Sequence, residues 1–199
     1  MHPNPKFAWR DETAMRAFVA EAAFAQIVTV VEGHPASAQA PLAVAANGSV
    51  SFHLSRANKL VPALDGAPLL ASVIGTHFYV SPDWYGTPDQ VPTWNYRLVE
   101  IEGVARRLDE AELRELLDRL SAAQEARLAP KPAWTSAKMD PSKLDAMARA
   151  IVGFAIDAPH FSGVHKMGQN KSDAEAAGAI AALRALGEGR AADEMEATR

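Results

Sequence analysis

The apolar positions of the chain change period several times. Met15, Phe18, Val19 and Ala22 recur at helical spacing behind Asp11, a residue suited to capping, which predicts a helix over 11–24. Gln26-Ile27-Val28-Thr29-Val30-Val31 is short and β-branched, as a buried strand would be. Gly33-His34-Pro35 turns the chain. Ala40 to Ala45 reads as a second strand, and Asn47-Gly48 is a two-residue hairpin signal leading into a third at Val50 to Leu54. Asn58 to Leu64 fits one helical turn. Pro68 to Ile74 gives a fourth strand, His77 to Val80 a fifth or its continuation, and Tyr96 to Arg107 alternates as a longer one.

The second half turns helical. Asp109 and Glu112 have the spacing of a capping box, and Leu113, Leu116, Leu117 and Leu120 form one apolar stripe. Pro130 and Pro132 break the chain, and Asp140-Pro141 starts another helix bearing Leu144, Met147 and Ala148. Val152 to Ile156 reads as a final strand. Ser172 and Glu175 give a second capping box, for a helix with Ile180, Leu183 and Leu186. Many short strands joined by few helices exclude a doubly wound parallel sheet. They predict an α+β fold, mainly antiparallel, closing toward a barrel. With no internal repeat or low-complexity linker, residues 1–199 read as a single domain. Its helical additions fall at 11–24, 109–150 and 172–187, and a charged C-terminal tail from Gly187 reads as mobile.

Composition narrows the function. Of 199 residues, none is cysteine, which removes disulfides, zinc–thiolate sites and thiol nucleophiles. A net charge of −4 argues against a broad nucleic-acid surface. No apolar run approaches the roughly 18 residues of a spanning helix, and the first residues show no signal core, so no membrane association and a cytoplasmic location are expected. The six histidines show no metal-ligand spacing, so no metal is expected. GxSxG, GxGxxG and the P-loop pattern do not occur.

Three segments carry candidate chemistry. With only 7% aromatic residues in the chain, Trp84, Tyr85, Trp94 and Tyr96 form a concentration. The neighbouring prolines and glycine place them on a loop, as a platform for a flat ligand or as a core plug. His53-Leu54-Ser55-Arg56-Ala57-Asn58-Lys59 ends a strand with a guanidinium, an amide and an ammonium, groups that hold a phosphate and equally fit a solvated strand end. Lys166-Met167-Gly168-Gln169-Asn170-Lys171 precedes the last helix, whose first turn is already filled by Asp173 and Glu175. Any anion there falls to the side chains.

Taken in order, His53 to Asn58, Gly75 to Tyr85, Val91-Pro92-Thr93-Trp94-Asn95-Tyr96 and Lys166 to Lys171 resemble the PaiB-type family of FMN-binding negative transcriptional regulators, related to the split-barrel flavoproteins. The resemblance runs over nearly the whole chain. It implies a split β-barrel, a homodimer, and an FMN site at or near the dimer interface. On this likeness Arg56 and Asn58, with Ala57 between them and His53 nearby, hold the phosphate and ribityl end. Lys166, Gln169 and Asn170 support it, and His77, Tyr79, Ser81, Thr93, Trp94 and Asn95 shape the pocket for the isoalloxazine. Two departures stand out. Lys59 replaces a proline common in the family, and Met167, Gly168 and Lys171 replace the leucine, serine and arginine of its late motif. The loss of a hydroxyl and of an arginine fork predicts a weakened hold on FMN.

The resemblance implies a regulator. A flavin-dependent oxidoreductase of the same fold class is the alternative, because fold alone does not decide function. In that case the chemistry would reside in FMN, with His77 and Tyr79 as candidates for proton transfer. DNA contact rests on the resemblance alone, since no helix-turn-helix is recognisable.

Overall fold

The computed structural model describes residues 2–199. In chain order the elements are β1 (Ala8–Trp9), α1 (Glu12–Ala22), β2 (Phe24–Val31), β3 (His34–Val44), β4 (Val50–Ser55), α2 (Val61–Leu64) and β5 (Pro68–Val80). A 3-10 turn (Pro82–Tyr85) leads to β6 (Thr93–Val104), β7 (Arg106–Arg107), α3 (Glu110–Ala126) and α4 (Pro141–Arg149). The chain ends with β8 (Ile151–Ile156), β9 (His160–Lys166), α5 (Asp173–Ala185) and α6 (Gly189–Glu196). Two compact units result: one holds residues 16–73 and 100–161, the other the residues up to Met15 with 74–99 and 162–199. Among the described residues no helix is long and apolar enough to cross a membrane.

In the larger unit the strands hydrogen-bond in the order β5-β2-β3-β4-β8-β7. Every pairing there is antiparallel, as the alternation of the sequence predicts. Strand β3 starts at His34, six residues before the expected Ala40. The reversal is made by Glu32 and Gly33, both at positive φ (52° and 80°), so Val31 faces His34 directly. The inward positions that follow are Ala36, Ala38 and Ala40, all buried, and their small side chains hide the strand signal. Strands β4 and β8 pair from Val50↔Ile156 to Ser55↔Ile151, which brings Phe52 and Phe154 together with ring centroids 5.6 Å apart. Burying each such side chain contributes about 1.5–3 kcal/mol. Helix α3 begins with the expected capping box, Asp109 accepting from Glu112 N and Glu112 from Asp109 N, and buries Leu113 and Leu116. Asp140 caps α4 by accepting from Ser142 N and Lys143 N.

In the smaller unit the order is β1-β9-β6-β5, with Ala8 opposite Val164 and Trp9 opposite Gly163. Strand β8 is therefore not the last: β9 follows it, and its short apolar content (Phe161, Val164) between polar residues gave no sequence signal. Residues 189–196, read as tail, form α6. Its apolar positions are small, and Ala191, Ala192 and Met195 join Phe78, Val80, Tyr85, Met167 and Leu183 in one core cluster.

The aromatic segment is not one loop. Trp94, Asn95 and Tyr96 lie on β6, where the alternation of a strand sends Trp94 outward and Asn95 inward. Pro82 to Tyr85 is the 3-10 turn, and its Tyr85 is 4% exposed inside the core cluster. Proline marks the ends of these elements, and the breaking effect of Pro92 stops where β6 begins at Thr93.

Candidate functional site

In the larger unit the residues read as phosphate holders sit just past the end of β4. Arg56 is fixed by its own surroundings. Its Nε donates to the carbonyl of Arg149 at 2.7 Å and its Nη2 to that of Ile151 at 3.2 Å, while its backbone N donates to Ala150 O at 2.8 Å. A guanidinium has five N–H donors, so three remain after these two bonds. Asn58 shapes the turn: its N donates to Ser55 O and its Oδ1 accepts from Leu60 N at 3.0 Å. Ala57 is exposed, with its N directed to Ser55 Oγ. Arg56 lines a cavity of about 180 Å³ with Arg107 and Arg149. The carboxylates there have partners: Glu110 and Asp145 share Arg114, each at 2.9 Å, and Asp109 caps α3. Three guanidinium groups therefore line this cavity together with three carboxylates, and Arg56 is the one among them fixed by two backbone carbonyls. Arg107 and Arg149 were not legible as site residues, because they reach the cavity from β7 and from the last turn of α4.

His53 does not share that cavity. It is half-buried and lines a separate apolar hollow with Pro41, Leu117 and Trp134. Burial pushes its pKa below the ordinary 6.5, so the ring is neutral at neutral pH.

In the smaller unit β6 and β9 bring a second group together. The Lys166 ammonium donates to Thr93 Oγ1 and to the Trp94 carbonyl, and lies 5.8 Å from the centre of the Phe7 ring. Burial lowers its pKa. Tyr79 and Trp94, 45% and 57% exposed, meet edge to face with ring centres 6.1 Å apart. His77 is exposed, with Nδ1 3.1 Å from Gly75 O, and Ser81 is half-buried, its carbonyl accepting from Trp84 N.

Three more expected residues, Gln169, Asn170 and Asn95, lie in the same unit. Gln169 closes its own loop: Oε1 accepts from Met167 N at 2.8 Å and Nε2 donates to His165 O at 2.6 Å. Asn170 is exposed beside it. Asn95 is fully buried with neither amide atom hydrogen-bonded. Gly168, at φ +82°, holds the tight turn that a serine would strain. Lys171 reaches Gln90 and lies 4.3 Å from the Tyr85 ring centre, pointing into the protein. Among the described residues no three histidine or acidic side chains form a metal-binding group.

Comparison with known proteins gives these groups a context. A family model described as "Putative FMN-binding domain" matches residues 1–159. The chain is 28% identical over 162 residues to "Protease synthase and sporulation protein PAI 2" of Bacillus subtilis (strain 168), covering 79% of this chain and 77% of that protein. Among solved structures it is similar to the flavocytochrome Anf3 from Azotobacter vinelandii, with a TM-score of 0.61 and 18% identity over 89% of this chain and 78% of that one. It is also similar to the FAD and heme binding protein from Mycobacterium smegmatis, with a TM-score of 0.57 and 18% identity over 85% and 78%. At such identities the likeness is one of fold, the split β-barrel of flavin-binding proteins.

Proposed function

The chain belongs to the PaiB-type FMN-binding family, with FMN as its cofactor, and from that premise we propose that it holds FMN by the phosphate at Arg56 and acts as a homodimeric regulator. The observation that carries the phosphate assignment is the pinned guanidinium. Two backbone carbonyls fix its plane, three donors remain, and Arg107 and Arg149 line the same cavity. A pre-positioned fork loses little entropy on binding a phosphate, which is why arginine suits the task. Asn58 sets the turn that follows the fork.

The residues present fit the cofactor's anionic end. When bound, flavin supplies hydride and one-electron chemistry; the protein's part is to hold and orient it. In the smaller unit, the resemblance assigns Thr93 and the Tyr79–Trp94 pair to the flavin ring, and Lys166, which donates to Thr93, to the support of the phosphate and ribityl end. The half-exposed aromatics support that reading, and they equally suit contact with a second copy. The regulatory role follows from the family resemblance.

The test uses two ligands. Titration with FMN and with riboflavin, which lacks the phosphate, separates the anion contact from ring binding. Charged hydrogen bonds contribute about 1.5–3 kcal/mol, so Arg56→Met is expected to weaken FMN binding roughly 10- to 150-fold and to leave riboflavin unchanged. Equal affinity of the wild-type protein for the two ligands would remove Arg56 from this role. Lys166→Met tests the second group separately: unchanged affinity for both ligands would assign it to packing or dimer contact.

A further inference from the structure

A second cavity, of about 300 Å³, lies in the helical part of the larger unit between α3 and α4. Leu117, Leu144, Met139, Met147, Ile151 and Trp134 supply its apolar wall. The segment that carries Trp134 is anchored: Glu125, on α3, accepts from Trp134 N at 2.8 Å and from the Lys131 ammonium. The indole is therefore presented from a fixed backbone, and the cavity is built before any ligand arrives. Such preformed, mostly apolar hollows with few polar groups are the usual form of small-molecule sites.

The polar lining tells what kind of molecule fits. Arg114 is already bound by Glu110 and Asp145, both at 2.9 Å, so it offers no unneutralised charge to an anion. Asp118, an exposed residue, adds a carboxylate that disfavours anions, and Ser121 and Ser136 supply neutral hydrogen-bonding groups. An apolar cavity of about 150 Å³ accommodates benzene, and this one has twice that volume. We propose that the α3–α4 cavity is a binding site for an uncharged bicyclic aromatic molecule bearing one hydroxyl or carbonyl. The proposal is independent of flavin binding, since it uses neither Arg56 nor Lys166.

The chain's six methionines provide the test. Met139 and Met147 line the cavity, whereas Met15, Met167 and Met195 are buried in the other unit. Full-length protein labelled with 13C at the methionine methyls is titrated with 1-naphthol at fixed protein concentration. Ring currents should move the Met139 and Met147 methyl resonances saturably and leave those of Met15, Met167 and Met195 in place. Met147 is 62% exposed, so Met147→Asp should fold normally and bind at least tenfold more weakly, read at the Met139 methyl. No shift up to millimolar naphthol, equal shifts at every methionine, or unchanged binding by Met147→Asp would overturn the proposal. So would a Met147 shift on dilution without naphthol, which would mean that a second copy covers the cavity.

Discussion

Gly178, in the middle of α5, is where two opposed effects can be weighed. A glycine inside a helix is normally about 1 kcal/mol worse than alanine, so Gly178→Ala would ordinarily stabilise. Here a Cβ would stand 2.2 Å from the backbone carbonyl oxygen of Trp84. That is about 1 Å short of the roughly 3.3 Å at which a C–H group meets a carbonyl oxygen. Overpacking costs about 1–3 kcal/mol. The obstacle is backbone in the short turn that seats Tyr85 in the core, so the upper end applies. Subtracting the helix gain leaves a loss of about 2 kcal/mol. For a chain of this size that lowers Tm by about 4–8 °C, readable by circular dichroism. Gly189→Ala in α6 is the control: its Cβ would meet nothing within 4 Å, so Tm should hold or rise. A Gly178→Ala protein at least as stable as the wild type would refute the close packing of α5 on the aromatic turn.

Other outcomes follow from the same packing and electrostatics. Met195 is fully buried in the core cluster, so Met195→Ala should cost about 2–5 kcal/mol in urea unfolding; a neutral result would return residues 189–196 to the status of a tail. His53 and His165 both have pKa values held below 6.5, His53 by burial and His165 by burial and then by the Arg97 charge. Above pH 6.5 the rings are neutral folded or unfolded; below it the unfolded chain takes up protons first, so stability is full above 6.5 and is lost as pH falls through the folded values. Tm measured from pH 7.5 to 5.5 should fall, and His165→Asn should flatten the slope. Glu125→Gln weakens the anchor of Trp134 and should blunt the 1-naphthol shifts at Met139. If the protein is an oxidoreductase, the FMN-loaded form will turn over NADH or NADPH; the regulator reading expects no turnover.

Much of the fold was legible because its signals are local. Asp109 with Glu112, Ser172 with Glu175, and Asp140 before Pro141 each announce a helix within four residues, and all three helices begin there. Strands β2, β4 and β5 are rich in β-branched or aromatic residues. What escaped lacks such residues. The buried face of β3 carries Ala36, Ala38 and Ala40, and α6 buries Ala191 and Ala192, too small to mark a periodicity. The site divides in the same way. Arg56 could be singled out from its own motif, but its bonds to Arg149 O and Ile151 O join positions more than ninety residues apart, and no spacing in the sequence encodes them. The resemblance places Gln169 and Asn95 at the flavin site. In the fold Gln169 closes its own loop and Asn95 is a buried amide without a hydrogen-bond partner, settings that depend on what the backbone brings around them.

The central claim is that this chain is a flavin-binding protein that grips the cofactor's phosphate. Its most direct test is titration of the purified full-length protein with FMN, followed by flavin absorbance and fluorescence. The account predicts saturable binding of one FMN per chain, with riboflavin bound at least tenfold more weakly. FMN that leaves both spectra unchanged at every concentration would contradict it.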